Sequence, residues 1–288
     1  MRINIIGIGL LGGSFAMGLR KTRPEFEFIG VEANHIHAQK AVDLGIVDKV
    51  LPLDEALAVA DLSVLATPVN IIERLLPEVL DKLPAHGKVI DLGSTKQIIC
   101  DKVRKHPKRS QFVAAHPMAG TENSGPDAAF ATLMKGKTVV ICEKESSDPQ
   151  AVYLVESLFR ELGMVIDYMN AVDHDLHLAY VSHLSHITSF ALGLTVLGKE
   201  KDEKRIFELA STGFSSTVRL AKSSPAMWAP IFAQNKANVC QALDGYIESL
   251  QIFKDAIQHS EEHSYQLMEK ANDIRRILSG IEKKSVNS

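Results

Sequence analysis

The residues best placed to do chemistry lie in the stretch AHPMAGTENSG, 115–125. A short apolar run, Phe112-Val113-Ala114-Ala115, reads as a strand, and His116 stands where that strand ends. An imidazole titrates near neutrality, so it can take the proton of a hydroxyl while a hydride leaves the carbon beneath it. A hydrogen-bonded structural histidine is the plain alternative. The strand-end position favours chemistry, because ligands of open α/β sheets gather outside the carboxyl ends of the strands. Pro117 and a turn of small residues follow, carrying Thr121, Glu122, Asn123 and Ser124.

A second candidate segment is Asp91-Leu92-Gly93-Ser94-Thr95-Lys96, which ends an adjacent strand and opens a helix. Ser94 suits an N-cap, and its hydroxyl equally suits a bond to His116 or to a substrate hydroxyl. Lys96 fits an anion contact or a solvated helix position. Further on, Thr212-Gly213-Phe214-Ser215-Ser216-Thr217-Val218-Arg219 joins a turn, several hydroxyls and one guanidinium. Arginine grips a carboxylate with two parallel hydrogen bonds, which lysine cannot do. It is also a common surface residue. His174, His177, His183 and His186 share one helical segment. No thiol accompanies them and the HExxH form is absent, so no metal site is expected. His183 and His186, with Ser182, suit the lining of a pocket, and His174 and His177 suit exposed or capping positions.

A cofactor site is legible at the start. Gly7-Ile8-Gly9-Leu10-Leu11-Gly12 has the G-x-G-x-x-G form between a strand and a helix. In that context Gly7 permits the tight turn, Gly9 lets N–H groups approach a pyrophosphate, and Gly12 lets helix and strand pack closely. The phosphates would meet the positive end of the helix. Glu32 ends the next strand, 20 residues after Gly12, where a carboxylate accepts from ribose hydroxyls and repels a 2′-phosphate. NAD is therefore favoured over NADP. Thr67-Pro68 stops the third buried strand where the chain would pass the cofactor's ribose, and a strand-stopping turn is the simpler reading of Pro68.

The elements that position these residues alternate. Strands are expected near 2–7, 28–32, 62–66, 89–92, 112–115, 137–142 and 164–168, with helices near 11–19, 36–44, 71–83, 94–103 and 149–162. Such alternation means βαβ units and a parallel sheet. After Met169 only helical patterns remain, at 171–197, 203–210, 225–233, 235–257 and 263–281, with breaks at 212–216 and 223–225. The fold expected is an α/β Rossmann-type parallel-sheet domain over 1–169, followed by an all-helical dimerisation domain over 170–288. The apolar positions of 235–257 recur at threes and fours, so one face must be buried, and a homodimer is expected.

Composition narrows the classes. A formal net charge of −3 and the lack of a long basic run give no reason to expect nucleic acid. Three scattered cysteines, Cys100, Cys142 and Cys240, show no disulfide or zinc spacing, which points to a reducing cytoplasm. The span 176–198 has no Lys, Arg, Asp or Glu and could cross a bilayer by length. It contains His183 and His186 with several Ser and Thr and stands alone, so a buried helix of a helical domain is the preferred reading and no membrane is expected.

Taken together, GIGLLGGS (7–14), GVEANHIHAQKAVDLGIVD (30–48), LATPV (65–69), DLGSTK (91–96), HPMAGTENSG (116–125), VSHLSH (181–186), the TGF…R segment (212–219) and AKSSPAMW (221–228) resemble the prephenate/arogenate dehydrogenase family of tyrosine biosynthesis. The resemblance spans nearly the whole chain in order. It implies a Rossmann domain followed by a helical dimerisation domain, and NAD-dependent oxidation of a cyclohexadienol with loss of the ring carboxylate. It further implies that His116 polarises the ring hydroxyl, that Ser94 positions His116, and that Arg219 holds a substrate carboxylate. Ser182, His183, His186, Thr121 and Glu122 would line the pocket, some of them from across the dimer. One departure is Glu32, where many relatives carry aspartate. No added regulatory or mutase domain, and so no feedback control by one, is expected. Arogenate, another hydroxy acid, or NAD sensing without turnover are the competing functions.

Overall fold

The computed structural model describes residues 1–200 and 204–279. Eight strands form one sheet in the order β3-β2-β1-β4-β5-β6-β7-β8. They are β1 (Arg2–Ile6), β2 (Glu27–Val31), β3 (Lys49–Val50), β4 (Leu62–Leu65), β5 (Lys88–Asp91), β6 (Phe112–Pro117), β7 (Thr138–Cys142) and β8 (Val165–Met169). The helices between them are α1 (Leu10–Thr22), α2 (His35–Asp43), α3 (Leu53–Ala58), α4 (Val69–Lys82), α5 (Gln97–Val103) and α6 (Pro149–Glu161). The chain leaves β1 for one side of the sheet and returns at β4 on the other, which opens a crevice at the carboxyl ends of β1 and β4.

The sheet is not parallel throughout. β7 runs antiparallel to β6, pairing His116 with Val140, and β8 then runs parallel to β7. Runs of buried β-branched residues look the same in either direction, so strand composition cannot report this reversal. The two-residue β3 and the six-residue α3 also escaped the sequence reading, being shorter than any periodicity can resolve.

Side chains alternate across the strands. Ile3, Ile5, Val64, Val113 and Ala115 pack with Phe15 and Leu19 of α1 and with Val155 and Phe159 of α6. Ile6, Leu65, Val89, Phe112 and Ala114 pack on the other face, with Ile72 and Leu76 of α4, Ile99 of α5, and Trp228 and Ile231 from the helical half. His116 follows this alternation and so shares the face of Phe112 and Ala114, on which the helical half sits.

The helical half starts with a continuous helical run. It is made of α7 (Ala171–Leu178), a π-helical turn (Ala179–His183) and α8 (Leu184–Glu200). A 3-10 segment follows at Lys204–Leu209, then α9 (Thr212–Val218), a 3-10 turn at Arg219–Lys222, α10 (Pro225–Gln234), α11 (Lys236–His259) and α12 (Glu261–Ala271). The expected break at 212–216 is therefore a short helix. The ends expected at 203 and at 280–281 lie outside the described residues. The long helix α11 buries Val239 and Ala242 near its start and Ala256 near its end. Ile247 is 54% exposed, Leu250 51% and Ile257 72%, so this chain alone leaves much of the expected apolar face uncovered.

Candidate functional site

The imidazole of His116 is held from both sides of its strand. β5 stops at Asp91, opposite Ala114, so the peptide groups of Ala115 that face β5 have no strand partner. Side chains replace it: the Ala115 N–H donates to Asp91 Oδ1 at 3.3 Å, and its carbonyl accepts from Lys96 Nζ at 2.9 Å. Lys96 also pairs with Asp91 Oδ2, and both residues are fully buried. Lys96 is thus neither a solvated lysine nor an anion contact. It is a strut beneath the histidine.

His116 is itself buried, and its Nδ1 lies 2.9 Å from Nε2 of His174. His174 Nδ1 lies 2.7 Å from Asp175 Oδ1. The same carboxylate accepts the backbone N–H groups of Lys96, at 2.8 Å, and Gln97, at 3.0 Å. It therefore caps α5 from another part of the chain. This corrects two expectations. α5 begins at Gln97 with Lys96 at its N-cap, so Ser94 is not the cap. His174 is fully buried rather than exposed or capping, whereas His177 is exposed as expected. Ser94 is half-buried, three residues past Asp91, at the same sheet edge as His116. Its hydroxyl makes no hydrogen bond among the described residues.

The tautomers follow from this network. A carboxylate only accepts, so His174 carries its proton on Nδ1 and accepts at Nε2. His116 then donates from Nδ1 and leaves Nε2 with a lone pair. Burial, aided by nearby His174, Lys96 and His183, holds the His116 imidazole well below its ordinary value, so it is neutral at pH 7.

The helical half adds aromatic and basic groups. The π-helical turn carries Ser182 and His183. His183 is buried and receives the Asn235 amide at Nδ1, 3.1 Å away, while the same amide nitrogen donates to the Asp175 carbonyl at 2.6 Å. Burial lowers His183 to about 4. His186 stacks on Trp228 with ring centroids 3.5 Å apart. The Nε2 of His183 and the Nε1 of Trp228 are buried nitrogens without a protein partner among the described residues. Arg219 pairs with Glu122 at 3.1 Å and so joins the helical half to the turn after His116. Thr121 stays local, accepting the Asn123 N–H at 3.2 Å.

The nucleotide loop lies at the crevice. Gly7 has φ +92, and a Cβ there would fall 2.8 Å from Thr67 Cγ2. A Cβ on Gly12 would fall 2.3 Å from the Gly7 carbonyl oxygen, whereas one on Gly9 meets nothing within 4 Å. The start of α1, whose first residues are Leu10 and Leu11, has no side-chain cap. Glu32 accepts the N–H of Ile8 and the N–H of Asn34, each at 3.0 Å. The buried Thr67 hydroxyl has no partner, and Pro68 is the exposed N-cap residue of α4. Open space at Gly9, an uncapped helix start and an adjacent carboxylate fit a dinucleotide. Among the described residues no group of three or more His, Cys, Asp or Glu could hold a metal ion.

Comparison with known proteins decides the family. The model for the nucleotide-binding domain of prephenate dehydrogenase matches residues 15–168, and that for its dimerization domain matches 170–271. The chain belongs to the prephenate dehydrogenase family. It is 30% identical to a prephenate dehydrogenase of Bacillus subtilis over 281 residues, 95% of this chain and 75% of that protein. The structure of prephenate dehydrogenase from A. aeolicus in complex with hydroxyphenyl propionate and NAD+ superposes with a TM-score of 0.85 at 32% identity, covering 98% of each chain. That of Synechocystis arogenate dehydrogenase gives 0.77 at 28% identity, covering 96% of this chain and all of that one.

Among the features of this prephenate dehydrogenase-family chain that sequence reasoning missed are the His174–Asp175 pair, the Asp91–Lys96 strut, Asn235 and Trp228. A faint signal existed for the first. His174 and Asp175 are followed by ten residues, 176–185, with no Asp, Glu, Lys or Arg before His186. An acid–imidazole pair at the head of an apolar helix is a candidate for burial.

Proposed function

We propose that this chain oxidises prephenate to 4-hydroxyphenylpyruvate and CO2 with NAD, and that His116 is the group that handles the proton. The observation that carries the reading is the imidazole at the end of β6, neutral and fixed at Nδ1, at the same carboxyl end of the sheet as a loop shaped for a dinucleotide. A nicotinamide held by the Gly7–Gly12 loop would supply the hydride acceptor for the carbinol carbon. His116 Nε2 takes the hydroxyl proton as the C=O forms. The ring carboxylate then leaves as CO2, its bonding pair aromatises the ring, and the resulting phenolate recovers its proton from His116. Neither a net proton nor an outside reductant is needed.

Ser94, at the same sheet edge, orients His116 and the substrate hydroxyl. Arg219 holds a substrate carboxylate once it exchanges Glu122 for the ligand. Thr121, Glu122, Ser182, His183 and His186 line the pocket. Gly7 to Gly12, Glu32, Thr67 and Pro68 hold the cofactor. The carboxylate of Glu32 supports NAD over NADP.

The same reading places the boundary between the cofactor domain and the helical domain at 169/170. It makes the molecule a cytoplasmic homodimer paired through the helical domain. The helix Ala171–Glu200 is long and apolar enough to cross a membrane, and 11% of its most apolar window is buried within the chain. Near its start it is locked onto α5 through Asp175. A partner's helical domain covers the remainder.

The test is NADH formation with prephenate, arogenate and 3-hydroxy acids, each with NAD and with NADP. Prephenate with NAD should give the highest kcat/KM. His116→Ala should lose about two to four powers of ten in rate. Unchanged turnover in that variant removes His116 from the reaction.

A further inference from the structure

We propose that His174, oriented by Asp175, is a positioning residue for the proton transfer: it accepts the hydrogen bond from His116 Nδ1–H and thereby holds His116 in the tautomer whose Nε2 lone pair can receive the hydroxyl proton. The inference rests on His116 being the proton acceptor.

A neutral imidazole has one donor and one acceptor nitrogen. With Nδ1 unpaired, nothing in the ring would prevent the opposite tautomer, which offers an N–H to the hydroxyl and cannot take its proton. The 2.9 Å contact with His174 Nε2 removes that freedom only if His174 is itself fixed as an acceptor. The 2.7 Å contact between its Nδ1 and Asp175 does so. Asp175 cannot turn away, because the N–H groups of Lys96 and Gln97 hold its carboxylate and Asn235 holds its backbone carbonyl.

The titratable and charged groups around the pair are Lys96 on the α5 side, Asp91 at the end of β5, His116 on β6, His183 on the π-helical turn, and Asp175 itself. When His116 takes the proton, both of its nitrogens donate. The Nδ1–H bond to His174, backed by the Asp175 charge, then stabilises the imidazolium without a second transfer. The chain of residues also crosses the molecule. The base sits on β6, its orienting acceptor on α7, and the carboxylate caps α5.

Two near-isosteres separate positioning from plain structural support. In His174→Gln the side-chain carbonyl can take the place of Nε2 and still accept from His116. In His174→Asn the side chain keeps a donor toward Asp175 but cannot reach His116. With kcat counted per NAD-binding site, His174→Gln should stay within about ten-fold of wild type and His174→Asn should lose about a hundred-fold or more, the scale at which misoriented catalytic histidines fail. The KM for prephenate should stay within about three-fold in both, since neither change touches the carboxylate contacts. Equal losses, or better retention by His174→Asn, overturn the proposal.

A measurement on the unsubstituted protein guards against variants that fold poorly. With 15N-labelled histidine, His116 must show a protonated-type Nδ1 and an unprotonated-type Nε2 resonance, and the reverse assignment overturns the proposal. Failure of the functional reading looks different. In that case wild type does not turn over prephenate, or His116→Ala does so unimpaired, whatever the His174 variants show.

Discussion

Arg219 carries its charge at the edge of the cleft, 53% exposed at its side chain and paired with Glu122. A pair this exposed contributes little to stability, which suits the recognition role proposed for Arg219. Arg219→Ala should leave the thermal midpoint near that of wild type. It should lower kcat/KM for prephenate by about ten- to a hundred-fold, mainly through KM, as expected for losing hydrogen bonds to a charged group. Wild-type kinetics in this variant would withdraw the carboxylate role. Lys96 has the opposite character: fully buried and paired with Asp91, it braces the strand that presents the histidine.

At the scale of elements, the nucleotide loop separates two jobs that the motif merges. Gly12 serves packing, because a methyl there would collide with the Gly7 carbonyl oxygen and with Ala66 and Ile5. Gly9 fits the proposed role of cofactor access, because a methyl there meets nothing within 4 Å. Gly12→Ala should therefore lower the thermal midpoint as well as abolish cofactor binding. Gly9→Ala should melt like wild type yet bind NAD at least about ten-fold more weakly, a cost of roughly 1.4 kcal/mol. Calorimetric titration beside a melting curve checks both, and a Gly9→Ala protein with wild-type affinity would contradict the open approach at that residue. The helix α5 teaches a related lesson. Its cap is Asp175, far away in the chain, so no local pattern could place its first residue correctly.

At the scale of the molecule, most of the exposed large apolar residues fall on the helical half, although Ile36, Tyr153 and Val165 of the sheet half are exposed as well. Leu194 is 71% exposed, Leu197 52%, Ile247 54%, Leu250 51% and Ile257 72%. The proposed dimer buries such residues. The double variant Leu250→Glu, Ile257→Glu should sediment as a monomer where wild type sediments as a dimer, and an unchanged dimer would move the interface elsewhere. Stability should also depend on pH in one direction. Burial lowers His116, His174, His183 and His186 in the folded chain, His183 to about 4. As pH falls below about 6.5, unfolded imidazoles protonate while these stay neutral, so the unfolded state binds more protons and stability drops. The urea midpoint should be highest above pH 6.5 and decline toward pH 4. A midpoint that held constant from pH 7 to 5 would mean that these imidazoles are not buried in solution.

Much of this protein can be read from local pattern. The glycine spacing after β1, Glu32 at the end of β2, His116 at the end of β6 and the change from alternating elements to helices after Met169 are all short-range signals, because turn, cap and periodicity rules act over a few residues. What only the folded chain decides acts over long separations: the reversal of β7 against β6, the bracing of Ala115 by Asp91 and Lys96, and the meeting of His116 with His174, 58 residues later. Buried polar groups must find hydrogen-bonding partners wherever packing brings them, and the linear order of residues does not say which partners those are.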